Sequence, residues 1–244
     1  MKGTLLNAAT VTAGATVGLL IGNHIPDLYK QVSMEGLGLV VSLIGVKMFF
    51  QSKNAVIVVA AIVVGGILGT LIGITPFLAW IAETLRVHVG GGGKFDEALI
   101  TTSVLFCVGP MTLLGCLQDG LEGNYEILAT KSALDGVGAV FFTATLGVGV
   151  FATAVVLLVV QGGITLLARP LKRFLHGEGP VQEATAVGGA MMLGIGLNLL
   201  NLKSLHVEIY LPSLALAPLF LSVFNFFTDR KDGRTNPAES MEGL

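Results

Sequence analysis

The stretch "AVIVVAAIVVGGILGTLIGI", Ala55–Ile74, carries no charge and a single hydroxyl, Thr70. A helix of that length rises about 30 Å, the thickness of the hydrocarbon core of a bilayer. A second apolar run, Val137–Ala168, is longer still. Of the 244 residues 53% are hydrophobic and 12% charged, where a soluble domain carries roughly 25% charged residues. Mean hydropathy is +0.81. The alternation of apolar and polar residues that marks a membrane barrel strand is absent. The chain therefore reads as an all-α, polytopic integral membrane protein whose obligatory partner is the lipid bilayer.

Net charge is −2 and no basic block is long enough to engage nucleic acid. Lys2 followed by apolar residues imitates a signal peptide, but the Thr- and Gly-rich run to Gly22 and the many later spans point to an uncleaved first helix. Cys107 and Cys116 are nine residues apart on one helix and face opposite ways, so they do not form a disulfide.

Seven apolar segments separate: Thr4–Gly22, Gly36–Phe50, Ala55–Ile74, Ala98–Leu117, Leu134–Ala168, Ala184–Leu202 and Ile209–Phe227. Between the third and fourth, residues 76–89 place Phe77, Trp80, Ile81 and Leu85 on one stripe, with Glu83 and Arg86 elsewhere. That is an interfacial amphipathic helix, followed by the four-glycine hinge 90–93. The fifth segment is too long for one ordinary span and short for two, with Gly147 and Gly149 as its dividing point. It is one tilted helix or two passages, which gives seven spans or eight. On either count nine Lys/Arg fall on the side of the C-terminus and four on the other, which makes the C-terminus cytoplasmic. The N-terminus changes side between the two.

The chain forms one transmembrane domain, 1–228, with a flexible tail over 229–244. "MEGLGLVVSLIGV" and "QEATAVGGAMMLGIG" share an acid followed by a glycine ten or eleven residues on, a faint internal repeat with halves at about 1–75 and 130–228. The interfacial helix and a broken helix over 98–118 would link them.

That break lies in "SVLFCVGPMTLLGCLQDG", residues 103–120. Pro110 has no N–H, so the Phe106 carbonyl loses its helical donor. An uncovered carbonyl in hydrocarbon must face protein or a wet cavity. Helical spacing puts Thr101, Val108, Thr112, Gly115 and Asp119 in one narrow stripe. Gly109, Pro110, Thr112, the Phe106 carbonyl, Gln118 and Asp119 are therefore candidates for contact with an ion or substrate. The bland alternative is a packing kink at a seam of small residues.

Asp135, ahead of a long apolar run, is a candidate proton-coupling site, because removal from water penalises its charge. Asn7 and Asn198 sit inside apolar segments and need polar partners, either neighbouring helices or a solute. Thr10, Thr12 and Thr16 are expected to bond back to their own helix. Lys47 snorkels to the interface, and Glu35, Glu97 and Glu183 cap helix starts. Gly65, Gly69 and Gly73 form a ridge for close helix contact within the protomer or in a homo-oligomer. The four histidines lack metal spacing, and no nucleophile–base constellation is present.

Several of these motifs carry a resemblance. "GTLLNAAT", "GNHIPD", "LFCVGPMTLLGCLQDGL", "KSALDG" and "GIGLNLL" resemble the bacterial integral membrane proteins of domain-of-unknown-function family 554, the YdfK/YqgA-like proteins. The similarity runs over almost the whole chain, and "FCVGPM…LGCLQDGL" is its most specific part. Glu97, Gly109, Pro110, Gln118, Asp119, Asp135 and Asn198 fall in the matching motifs. The resemblance implies a helical membrane fold, a bacterial inner-membrane location and a transport role, and it supplies neither substrate nor residue roles.

The expectation from sequence is an ion-coupled secondary transporter of a small polar or anionic solute. Its site would lie at the Gly109-Pro110 break, with H⁺ or Na⁺ as coupling ion and no other cofactor. A channel, or a non-transporting scaffold or sensor, is the alternative, and an enzyme is not expected.

Overall fold

A computed structural model describes residues 1–22, 24–89, 94–169 and 178–232, and every regular element among them is helical. The helices are α1 (Lys2–Gly22), α2 (Asp27–Phe49), α3 (Ala55–Ile72), α4 (Ile74–Val89), α5 (Phe95–Cys107), α6 (Pro110–Leu121), α7 (Glu126–Leu146), α8 (Gly149–Leu166), α9 (Glu178–Leu199) and α10 (Leu211–Asp232). A 3-10 turn, Val207–Tyr210, precedes α10. The side chains of Ile81, Leu85 and Arg86, the glycines 90–93, the loop 170–177 and the tail beyond 232 lie outside the described residues.

Six helices are long and apolar enough to cross a membrane, and the bent pair α5–α6 makes a seventh. The long fifth segment is two of them, α7 and α8, divided at Gly147, whose φ of +88° only glycine adopts easily. α9 is not among the seven on composition, yet it runs antiparallel along α2 from Gly38 to its C-terminal end. Glu183 lies beside residues 52–54 at one end and Gly196 beside Gly38 at the other. Since α9 is mostly buried by other helices, it needs no apolar face toward lipid. The outer surface does: Leu43, Leu71 and Val159 are 70, 77 and 68% exposed.

Apart from α4, the helices sort into two groups. One is α1, α5, α6, α7 and α8; the other is α2, α3, α9 and α10. The grouping cuts across chain order, since α1 packs on α7 and α8 rather than on α2. Small residues make each contact possible. A methyl added to Gly14 would stand 2.1 Å from the Gly136 carbonyl oxygen, and one on Gly45 2.6 Å from that of Gly189. Matched positions 3/128, 14/136 and 22/144 show that α1 and α7 run parallel. α8 is antiparallel to α1, and the pair α5–α6 runs parallel to α8.

The glycine ridge of α3 faces inward. Gly65 and Gly69 receive Ser213 and Ile209 of the last span, and Gly73 ends the helix in a left-handed conformation. Gly65 and Gly69 are therefore buried within the protomer, while a methyl added to Gly73 would meet only Pro76, nearby in the chain, among the described residues. The similar stretches 34–46 and 182–196 fall on α2 and α9, which pack against each other.

Candidate functional site

α5 stops at Cys107. Val108 is extended, Gly109 takes φ +135° and ψ 161°, and Pro110 opens α6 as its first residue, so the two halves meet at 62°. The bend ends the stripe that one continuous helix would have carried from Thr101 to Asp119. As expected, the Phe106 carbonyl has no helical donor. It is not presented to a ligand, however. The Thr112 hydroxyl donates to it at 3.3 Å and the Gln161 amide at 3.5 Å. A bare carbonyl at this depth costs several kcal/mol, and two neighbouring side chains remove that cost.

Gln161 leads into a buried polar cluster. Asn7 Nδ2 donates to Asp135 Oδ2 at 2.9 Å and to Gln161 Oε1 at 3.2 Å. The Lys131 ammonium, one turn before Asp135 on α7, pairs with the same carboxylate and stands 5.9 Å from the centre of the Phe106 ring. Asn7 and Gln161 are fully buried, while Lys131 and Asp135 are 6 and 7% exposed. Asn7 Oδ1 is buried without a partner. Thr4 and Thr165 face each other at 3.5 Å beside the cluster. Thus α1, α7, α8 and the break meet through one charged pair and two amides.

Of the residues singled out from sequence, Asn7, Phe106, Gly109, Pro110, Thr112 and Asp135 belong to this region. Others do not. The Asp119 carboxylate accepts the Gly3 N–H at 3.0 Å and pairs with the Met1 ammonium at 2.9 Å, so it serves the start of α1. Gln118 is half-buried on α6 and makes no hydrogen bond to the cluster. Asn198 donates to the Leu205 carbonyl at 2.8 Å and accepts the Leu205 N–H at 2.7 Å, which clamps the loop after α9.

The capping acids also differ from expectation. Glu97 is in the first turn of α5, but Glu35 lies well inside α2 and accepts from Gln31. Glu183, 1% exposed, serves a neighbouring helix: it accepts from the Ser52 hydroxyl and the N–H groups of Lys53 and Asn54 just before α3. Glu208 likewise accepts from Thr75 at the start of α4. Thr10, Thr12 and Thr16 bond to carbonyls of their own helix, and Lys47 is exposed in the last turn of α2.

Two side chains of the buried cluster are not among the candidates read from the sequence. Lys131 falls between the fourth and fifth apolar segments, in the polar stretch "YEILATKS", although Lys131 and Asp135 stand at the i,i+4 spacing of a helical ion pair. Gln161 is the only side-chain amide in the run 134–168, which is itself a mark of function inside a membrane.

On the far side of the break lies a cavity of about 760 Å³. It occupies the seam between the two helix groups, with α5, α6 and α8 on one side and α9 and α10 on the other. Gly109 and Cys107 line its inner end, and its walls carry no charged side chain. The break thus separates a polar cluster from an apolar chamber.

The family model described as "Protein of unknown function (DUF554)" matches residues 2–222. A relative from Bacillus subtilis (strain 168), described as the uncharacterized membrane protein YdfK, is 29% identical over 93% of this chain and 98% of its own length. The uncharacterized protein YqgA of Escherichia coli (strain K12) is 30% identical over 88% of this chain and 94% of its own. No solved structure matches.

Proposed function

The chain belongs to the DUF554 family, and on that premise we propose that it is an ion-coupled secondary transporter of an anionic solute, with Lys131 and Asp135 as its coupling centre. The observation that carries this reading is the buried Lys131–Asp135 pair, held by Asn7, which Gln161 links to the carbonyl at the broken helix. Taking two charges out of water costs several kcal/mol per ion before their attraction returns any of it. Purely structural contacts between membrane helices need no such pair, and ionisable residues at this depth mark proton and ion pathways.

The chemistry follows from the partners. A proton on Asp135 cancels the charge that holds Lys131, so the ammonium is left to seek another anion. Asn7 can reorient, its free Oδ1 taking the new donor. Each change alters the contact of α7 with α1 and α8. The seam between the two helix groups is where such a change becomes movement of one group against the other, as in alternating access. Transport then needs no enzyme chemistry and no cofactor beyond the coupling ion.

The sidedness belongs to the same reading. With α7 and α8 as separate passages and α9 alongside α2, both termini lie on one side. Among the described residues Lys2, Lys53, Arg169, Arg230 and Lys231 share it, against Lys30, Arg86, Lys94 and Lys203. The richer side is cytoplasmic, in a bacterial inner membrane.

The test is purified protein in liposomes loaded with a pH-sensitive dye, presented with a panel of organic anions. At least one anion should drive proton movement, and Asp135→Asn should abolish it. Proton or sodium movement that persists in Asp135→Asn, or none with any anion, sinks the reading.

A further inference from the structure

We propose that the seam cavity is the substrate chamber and that it takes a single-chain aliphatic carboxylate, which enters sideways from the bilayer between α8 and α10. This inference rests on the transport reading above and names its substrate class.

Three features of the chamber point to an aliphatic body. Its walls are apolar, from Leu99 and Val104 on α5 through Val156 and Val160 on α8 to Leu214 and Ala215 on α10. Water there would find too few polar partners to be stable. Its volume of about 760 Å³ falls within the roughly 300–1,000 Å³ of small-ligand sites, and it is closed at the inner end by the break. The mouth faces lipid. α8 and α10 hardly touch, and Val155, Val159 and Leu219, which line the opening, are 49, 68 and 48% exposed on the lipid-facing surface. A chain can slide from the acyl layer into the chamber without crossing water.

The inner end points to an acceptor head. Ser103 lines the cavity, and its hydroxyl is buried without a partner. Gly109 brings to the same place a backbone N–H with no acceptor among the described residues, whereas Pro110 has none to offer and the Leu113 N–H is bonded to the Gly109 carbonyl at 3.3 Å. An unpaired N–H at the start of a helix favours an anion. A positive side chain, Lys131, is on the other face of the break. Lys131 stands over Phe106, and the next residue, Cys107, lines the chamber. A proton on Asp135 would release Lys131 toward a carboxylate seated there, which links the chamber to the coupling pair. A quaternary ammonium head would find the Ser103 hydroxyl oxygen but no anionic side chain on the chamber wall.

The experiment uses the full chain in lipid nanodiscs with a photoreactive diazirine analogue of palmitic acid, with labelled peptides mapped by mass spectrometry. Labelling should concentrate on chamber residues such as Leu99, Val104 and Ala184, which face little bulk lipid. Excess palmitate should reduce it at least tenfold, and hexadecyltrimethylammonium at least tenfold less well. Val156→Trp and, from the opposite wall, Ala215→Phe should each remove the chamber label while leaving that on outer residues such as Leu43. Should one variant fail to fold, the other still decides. Label spread evenly over the lipid-facing surface, or not competed by palmitate, overturns the chamber. Equal competition by the cationic amphiphile overturns the carboxylate.

The two readings fail separately. Proton movement driven by another anion, with no chamber label, sinks the aliphatic substrate and leaves Asp135 as coupling residue. Chamber labelling without coupled proton movement does the reverse.

Discussion

Gly109 and Pro110 do different work at the break. Gly109 sits at φ +135°, with nothing nearer to an added methyl than Met48 Cε at 3.8 Å. Gly109→Ala is thus opposed by the backbone alone, and strain at such a conformation costs about 1–3 kcal/mol. Pro110 is the first residue of α6, where its missing N–H would have been unsatisfied anyway. Pro110→Ala should therefore cost under about 1 kcal/mol. Thermal unfolding in detergent distinguishes the pair, and equal losses would refute this division of roles. The buried ion pair supports a second expectation. Lys131→Met strands the Asp135 charge and should destabilise the fold by about 3–5 kcal/mol. Adding Asp135→Asn should recover much of that loss in a double-mutant cycle, because the lone charge is gone.

At the scale of elements, glycine positions separate contact from mere composition. Gly14 meets the Gly136 carbonyl, whereas Gly163 on α8 has nothing within 4 Å of an added methyl. Gly14→Ala should lower the melting temperature sharply. Gly163→Ala should leave it unchanged or raise it, by up to about 1 kcal/mol of helix propensity. Both melts can be read on the same detergent-purified protein. The glycine pattern was visible in the sequence, but its partners were not: "GGILGTLIG" looks equally suited to a neighbour in the chain or in another copy. The apolar runs located the spans because lipid demands them. The start of α7 was missed for the converse reason. Lys131 and Ser132 face protein, so a polar stretch continues a helix that hydropathy would end. The same holds for α9, which is hidden from lipid. The break was legible because a proline leaves a donor missing wherever it stands. The hydroxyl and amide that cover its carbonyl come from Thr112 and Gln161, and although Gln161 stands out in its apolar run, nothing near it in sequence names the carbonyl 55 residues away as its partner.

Over the whole molecule, the passages alternate in direction and set a plain topological expectation. Single cysteines at Lys2 and Arg230, in a chain with Cys107→Ser and Cys116→Ala, should react with an impermeant thiol reagent from the same side of the membrane. Labelling from opposite sides would remove one passage from the fold. The two helix groups are interleaved along the chain, and the cavity lies where they meet. A relative motion of the groups would open or close it without breaking the tight glycine contacts within each.

The parallel packing of α1 on α7 also bears on how the protein is made. The partners of Asn7 lie 128 and 154 residues further along the chain, so they reach the membrane only after most of the spans have left the ribosome. Until then α1 holds an unsatisfied amide in lipid, and Gly14 and Gly18 present an open groove. Biogenesis thus has a waiting step at the very first helix. The insertion machinery, or a transient helper, must shelter α1 until α7 and α8 arrive. A chain halted before residue 126 should accordingly be a substrate for membrane proteolysis rather than a stable fragment.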